Sequence, residues 1–179
     1  SHILASTIPN CRSYDPTYGY ELAVIIREGI RQMTEEQQNV FFYLTVMNES
    51  YVQPAMPEGV EDGIIKGMYL LEEDKKDAAH HVQLLGSGTI LREVREAAKI
   101  LRDEFNVGAD VWSVTSFNEL RREGLAVERS NRLHPQQKPQ QTYIEQCLGD
   151  RKGPVIASTD YMKLFADQIR QWVPSKEYK

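Results

Sequence analysis

Apolar positions along the chain fall into two patterns, unbroken runs and stripes at helical spacing. Residues 40–47 (VFFYLTVM) form a run rich in β-branched and aromatic side chains, which predicts a strand covered on both faces, as in a parallel sheet. Upstream, Tyr18, Leu22, Ile25, Ile26, Gly29 and Met33 recur at helical spacing. Asp15 and Pro16 precede that stripe and read as its N-cap and first helical residue. With a short extended segment over residues 11–14 and a polar loop over 34–39, the first part of the chain reads strand, helix, strand, a crossover unit.

The texture then changes. Residues 53–59 (QPAMPEG) sustain neither a helix nor a sheet ladder and read as a linker. Residues 63–73 predict a short helix giving way to a strand from Met68, and residues 74–80 a charged turn. A second unit starts at Val82: a strand (VQLL), a Gly86-Ser87-Gly88 turn, and a helix over 89–104 with Ile90, Val94, Ala97 and Leu101 on one face. Gly108 reads as its stop, and residues 110–115 as the next strand. Ser116 or Asn118 caps a helix running through Arg122 and ended by Gly124. A Pro/Gln-rich loop over 134–142, a short helix over 143–148 and a strand over 154–157 follow. The last helix is capped by Asp160 and has Met162, Phe165, Ala166, Ile169 and Val173 as its apolar set. Strands alternating with helices predict an α/β layer fold.

Composition narrows the function classes. The 179 residues are 41% hydrophobic and 26% charged, enough for a buried core. A net charge of -5 argues against a nucleic-acid surface, which needs clustered Lys and Arg. No apolar run has membrane-spanning length, and the first residues lack the basic and apolar regions of a signal peptide. Cys11 and Cys147 form no metal-ligand spacing, and without an export signal they predict reduced thiols in a cytoplasmic protein. The sequon Asn48-Glu49-Ser50 is a chance match in that setting.

Short motifs reveal little chemistry. Gly86-Ser87-Gly88 follows a strand and opens a helix, as a dinucleotide fingerprint does, but Leu91 stands where the third glycine belongs. Asp110 begins the predicted next strand rather than ending it, so the turn reads as a tight β-to-α connection. His80 and His81 sit in a charged segment and read as a solvated turn rather than a metal site. There is no GxSxG, HExxH, P-loop or EF-hand pattern.

Longer strings are more specific. SHILASTIPNCRSYDP, NESYVQPAMPEG, VQLLGSGTILREVREAAKIL, VWSVTSFNELRREG, ERSNRLHP and VIASTDYMKLFADQIRQWVP together span nearly the whole chain. In that order they closely resemble the C-terminal part of the bacterial, homodimeric type of pyruvate dehydrogenase, a transketolase-like family. The resemblance implies the tail of a pyrimidine-binding domain over residues 1–52, a connection over 53–80, and an incomplete transketolase-like C-terminal domain over 81–179. It also implies oxidative decarboxylation of pyruvate on thiamine diphosphate with Mg²⁺, and transfer of the acetyl unit to lipoyl groups of a dihydrolipoyl acetyltransferase core. The cofactor supplies the carbanion chemistry and the protein positions it.

Carried over residue by residue, the resemblance singles out a few positions. Ser1-His2 is similar to a Thr-His pair in transketolase relatives, which implies a catalytic role for His2 lining the substrate channel, where it could donate a hydrogen bond or a proton. Asn48 and Glu49 lie just beyond the 40–47 strand, where parallel sheets bind ligands, and are implied substrate-binding positions; transketolases have a substrate-binding Arg near there. The Gly-Asp-Gly…Asn motif for diphosphate and metal, and the activating glutamate, have no counterpart in these 179 residues, so the chain reads as an internal fragment, inactive alone. Two other readings are another thiamine-dependent transketolase-like enzyme and a non-catalytic α/β dimerisation or binding module.

Overall fold

The computed structural model describes residues 1–75 and 78–179. Lys76 and Asp77, which the sequence places in a charged turn, lie outside the described residues. The described elements are helix α1 (His2–Ala5), strand β1 (Cys11–Tyr14), α2 (Gly19–Ile30) with a π-helical continuation Arg31–Glu35, β2 (Phe41–Leu44), α3 (Glu61–Lys66), β3 (Tyr69–Glu72), β4 (His80–Gly86), α4 (Ile90–Phe105), β5 (Val107–Ser113), α5 (Phe117–Leu133), α6 (Tyr143–Leu148), β6 (Val155–Ser158), α7 (Leu164–Asp167) and the 3₁₀ turn Arg170–Trp172.

The strands form two sheets. β1 and β2 pair in parallel, Cys11 opposite Phe41, with α2 as the crossover. The second sheet has the order β3-β5-β4-β6, with β3 antiparallel to β5 and the others parallel. Residues 61–72, within the stretch that reads as a connection, thus carry α3 and a strand bonded into the second sheet. The last residues extend that sheet's other edge: Ala157 N donates to Lys179 O at 2.8 Å.

Side chains alternating along β4 and β5 build a core on each face of the second sheet. Val82, Leu84, Ala109 and Val111 pack under Leu91, Val94 and Ala98 of α4. Leu85 and Trp112 face Phe117, Leu120, Ile144, Phe165, Ile169 and Trp172 from the later helices. The apolar face of α4 is therefore Leu91, Val94, Ala98 and Leu101, with Ala97 exposed: a one-residue rotation of the predicted stripe. A smaller cluster of Tyr14, Val24, Ile25, Ile64 and Tyr69 fills the angle between the two sheets.

Several boundaries differ from expectation, each for a local reason. α2 begins at Gly19, because the Glu21 carboxylate turns back to accept from Thr17 N at 2.6 Å and Tyr18 N at 3.0 Å. Asp15 is thereby left outside the helix. α4 ends on Asn106, whose φ of 52° makes the left-handed cap, so Gly108 already belongs to β5. α5 runs straight through Gly124, where a Cβ would stand 2.6 Å from the Trp172 ring. That glycine serves close packing rather than termination. The predicted last helix is broken into α7 and a 3₁₀ turn, with Lys163 rather than Asp160 at its start and Met162 exposed. β2 is shorter than predicted and partly open, with Phe41 44% exposed, because β1 is its one strand partner among the described residues.

Candidate functional site

The carboxyl ends of the parallel strands converge. Asp15 follows β1, Thr45 follows β2, Ser87 follows β4, Thr115 lies just past β5, and Thr159 follows β6. Backbone groups join these ends directly: Asp15 N donates to Thr115 O at 2.8 Å, and Gly88 N donates to Asp15 O at 3.2 Å. Side chains reinforce the junction, with Thr17 Oγ1 donating to Gly88 O at 2.7 Å and Ser116 Oγ to Ser13 O at 2.6 Å. Ligand sites of parallel α/β sheets lie beyond the carboxyl ends of their strands, so this junction is where a site belongs on topology alone.

His2 occupies it. α1 carries the histidine inward, where it is 1% exposed, and Asn118 Nδ2 donates to its backbone carbonyl at 2.9 Å. The imidazole stacks on Phe165 at 5.0 Å and meets Tyr161 edge-on at 4.9 Å. Nδ1 is hydrogen-bonded to Ser13 Oγ, and Nε2 lies 3.0 Å from Thr45 Oγ1. Burial, with the N-terminal ammonium adding to it, holds the imidazole down at about 4, so the ring is neutral at ordinary pH.

Asp15 lies beyond Thr45. Its Oδ1 accepts from Thr45 Oγ1 at 2.5 Å and from the Tyr161 hydroxyl at 3.4 Å. Its Oδ2 is buried and has no hydrogen-bond partner among the described residues. Burial pushes the carboxyl up to about 6; the Thr45 hydrogen bond offsets part of that rise, and the nearby Asp160 charge adds to it. Gly88, at φ 51°, brings its backbone against this carboxylate, where a Cβ would stand 2.4 Å from Asp15 Oδ2. In the Gly86-Ser87-Gly88 turn, Gly88 thus serves close packing against Asp15, and Gly86 close packing against Leu91 and Val94 of α4.

A cavity of about 510 Å³ opens beside this cluster, lined by His2, Ile3, Leu4, Tyr161, Met162 and Phe165 with Ser1 and Asp160 at its rim. Asn48 and Glu49 are not part of it. Both are exposed in the irregular segment after β2, and Glu49 pairs with Arg92 of α4 at 2.6 Å, on a different cavity. His80 and His81 open β4, and His81 Nε2 lies 3.2 Å from the buried Asp110, a contact between neighbouring strands.

Sequence comparison decides the family. The model of the transketolase-like C-terminal domain matches residues 67–177, and that of the pyruvate dehydrogenase E1 component middle domain matches residues 1–54. The chain belongs to the transketolase-like C-terminal domain family. Over all 179 residues it is 82% identical to the pyruvate dehydrogenase E1 component of Pseudomonas aeruginosa, covering 100% of this chain and 20% of that protein. The same component of Escherichia coli K12 is 56% identical over 180 aligned positions, again covering 100% of this chain and 20% of that protein. The chain therefore spans about a fifth of the length of the curated relatives it matches. Among solved structures, a transketolase variant from Pichia stipitis aligns with a TM-score of 0.56 at 16% identity, over 88% of this chain and 19% of that one. That likeness shows the fold alone.

In this transketolase-like chain the junction brings together His2, which the sequence singled out, with Ser13, Thr45, Asp15 and Tyr161, which it did not. The signal for Asp15 was present in the sequence but fitted a helix cap equally well, since Asp-Pro opens helices as readily as it ends strands. Nothing in the sequence pairs Thr45 with His2, because that contact spans 43 positions.

Proposed function

We propose that the chain is the junction of the middle and C-terminal domains of a bacterial, cytoplasmic pyruvate dehydrogenase. The longer enzyme, a homodimer, decarboxylates pyruvate and passes the acetyl unit to lipoyl groups of the dihydrolipoyl acetyltransferase core. The observation that carries this reading is the 82% identity over every residue of the chain to a protein described as a pyruvate dehydrogenase E1 component. In this reading residues 1–52 close the pyrimidine-binding domain, 53–80 connect, and 81–179 form most of the C-terminal domain, with β3 of the connecting stretch bonded into that domain's sheet; family-model edges at 54 and 67 support a boundary within the stretch.

Thiamine diphosphate with Mg²⁺ is the cofactor of the proposed reaction, and when bound it supplies the electron sink for decarboxylation. The residues of this chain do not make its main site. The cavity beside His2 has no Lys or Arg in its lining to hold a diphosphate. Among the described residues no three His, Cys, Asp or Glu side chains group to hold a metal ion. What this chain contributes is the wall behind the substrate: His2 as the buried imidazole next to the cavity, and the aromatic rings of Tyr161 and Phe165 that keep water from it. Asn48 and Glu49 belong to the proposal as an outer substrate-binding set beyond the end of β2, with Glu49 held by Arg92.

A domain exchange tests the reading. The chain replaces the matching 179 residues of the Pseudomonas aeruginosa relative, and the hybrid is assayed with pyruvate and with ketose phosphates. The expected result is pyruvate decarboxylation within roughly threefold of the parent, a change below 1 kcal/mol in the barrier, and no turnover of ketose phosphates. A folded hybrid that turns over ketose phosphates instead refutes it. Titration calorimetry of the 179-residue chain with thiamine diphosphate and Mg²⁺ is expected to show no tight binding; micromolar, Mg²⁺-dependent binding would overturn the assignment of the cofactor site to other parts of the enzyme.

A further inference from the structure

Both ring nitrogens of His2 face side-chain hydroxyls, and the direction of those hydrogen bonds is set from the far end of the chain of contacts. An ionised carboxylate only accepts, so Thr45 Oγ1, 2.5 Å from Asp15 Oδ1, donates to it. A hydroxyl has one proton to give. Having given it to Asp15, Thr45 meets His2 Nε2 at 3.0 Å as an acceptor, which places the imidazole hydrogen on Nε2. A neutral imidazole carries one N–H, so Nδ1 accepts, and Ser13 Oγ is its donor. Ser13 is itself 1% exposed within β1, so it is no accessible hydroxyl nucleophile. It is a one-way relay that ends on a carboxylate.

We propose that Asp15, acting through the Thr45 hydroxyl, is the positioning residue that fixes His2 as its Nε2–H tautomer. The pieces come from separate elements: His2 from α1, Ser13 from β1, Asp15 just after β1, and Thr45 just after β2. The groups facing the Asp15 carboxylate are few. The Tyr161 hydroxyl lies 3.4 Å from Oδ1, and the Ser87 hydroxyl, 3.2 Å from Thr159 Oγ1, also acts on the carboxyl and lowers its pKa. Asp160 adds a like charge, and among the described residues no Lys, Arg or His forms an ion pair with Asp15; the N-terminal ammonium is the charge that acts on His2. The tautomer assignment stands independently of the substrate. Its consequence for catalysis rests on the pyruvate dehydrogenase reading: a proton can reach the cavity from His2 only when the Ser13 or Thr45 contact exchanges.

The test is the ring-nitrogen spectrum of His2 in the ¹⁵N-labelled 179-residue chain, at about pH 8, well above the range in which Asp15 titrates. Wild type and Thr45→Ser are expected to show the Nε2–H tautomer. Thr45→Val keeps the shape and loses the hydroxyl, and is expected to shift the tautomer ratio roughly five- to tenfold toward Nδ1–H, the scale of one net hydrogen bond. Lowering the pH through the range near 6 is expected to move the His2 ring signals in wild type, and Asp15→Asn to abolish that inflection. An Nδ1–H tautomer in wild type overturns the proposal. So does a folded Thr45→Val with an unchanged ratio, or an inflection that persists in Asp15→Asn. If Thr45→Val fails to fold, the wild-type tautomer and the Asp15→Asn titration decide alone. Because none of these readouts involves turnover, they fail or succeed separately from the domain exchange.

Discussion

Replacing Glu21 by alanine is expected to loosen the two sheets from one another. The side chain is 0% exposed and its carboxylate accepts from four donors: Thr17 N, Tyr18 N, the Tyr69 hydroxyl at 2.7 Å and the Ser113 hydroxyl at 2.6 Å. The first two belong to the entry of α2; the last two belong to β3 and β5 of the second sheet. Glu21→Ala strands all four. The Tyr69 hydroxyl can turn to the Tyr20 hydroxyl, 2.6 Å away, and a hydroxyl is free to rotate. The two backbone amides have no such freedom, and each buried orphan costs about 1–3 kcal/mol. With the apolar stem removed as well, the expected loss is about 3–5 kcal/mol, a large share of the roughly 5–15 kcal/mol by which domains are stable. Glu21→Gln keeps one acceptor oxygen for the amides and points its amide nitrogen at two hydroxyls that can accept, so its expected cost is about 1–2 kcal/mol. Urea unfolding of the three chains measures both. Equal losses for the two variants, or a loss below about 1 kcal/mol for Glu21→Ala, would show that these four contacts do not hold the junction.

Further outcomes follow from the same geometry. Gly88→Ala places a Cβ 2.4 Å from Asp15 Oδ2 on a residue at φ 51°; the expected cost is about 3 kcal/mol, read as a fall in melting temperature of about 6–12 °C. Gly124→Ala sets a gain in helix propensity of about 1 kcal/mol against a Cβ 2.6 Å from the buried Trp172 ring, and net destabilisation of about 1 kcal/mol is expected in the same melt. The pH dependence of stability carries two opposing contributions. Asp15, raised from 3.8 to about 6, holds its proton more tightly in the folded chain, so its contribution falls as pH rises from about 4 to about 6. His2, lowered from 6.5 to about 4, is protonated more readily when unfolded, so its contribution grows over nearly the same range. Each amounts to about 3 kcal/mol at full ionisation, and Asp15→Asn, by removing the first, is expected to give a chain whose stability climbs steadily between about pH 4 and 6.5 in urea titrations.

What was legible in the sequence is what local rules govern. The strand at 82–85, the helix after Gly88 and the short helix Tyr143–Leu148 stand where periodicity and capping residues put them, the last with Thr142 and Glu145 closing a capping box. The misplaced boundaries trace to residues with two physical uses. Gly124 fits a helix end and a close helix packing equally well, and Trp172, 48 positions away, decides between them. Asp15 fits a cap and a strand-end ligand, and the decision comes from Glu21, which takes over the work at the α2 entry. The openness of β2 was not legible either, because composition reports what a strand is suited to face, and its partners depend on the rest of the assembly.

The placement of the polar cluster follows from the topology rather than from any one motif. Parallel strands leave their carboxyl ends free of turns that double back, so side chains there point into whatever lies beyond. In this fold two parallel units meet end against end, and the space between them is shared by Asp15, Thr45, Ser87 and His2. A core designed for stability alone would fill such a place with apolar groups, since an unpaired buried carboxylate and a neutral buried imidazole both weaken the fold at some pH. Their shifts oppose each other, so the cost passes from His2 below about pH 4 to Asp15 above about pH 6 and persists across the range, while both groups remain joined through Thr45. A pair that costs stability at either end of this pH range supports the proposed placement of a functional site at the junction more strongly than the position of His2 does by itself.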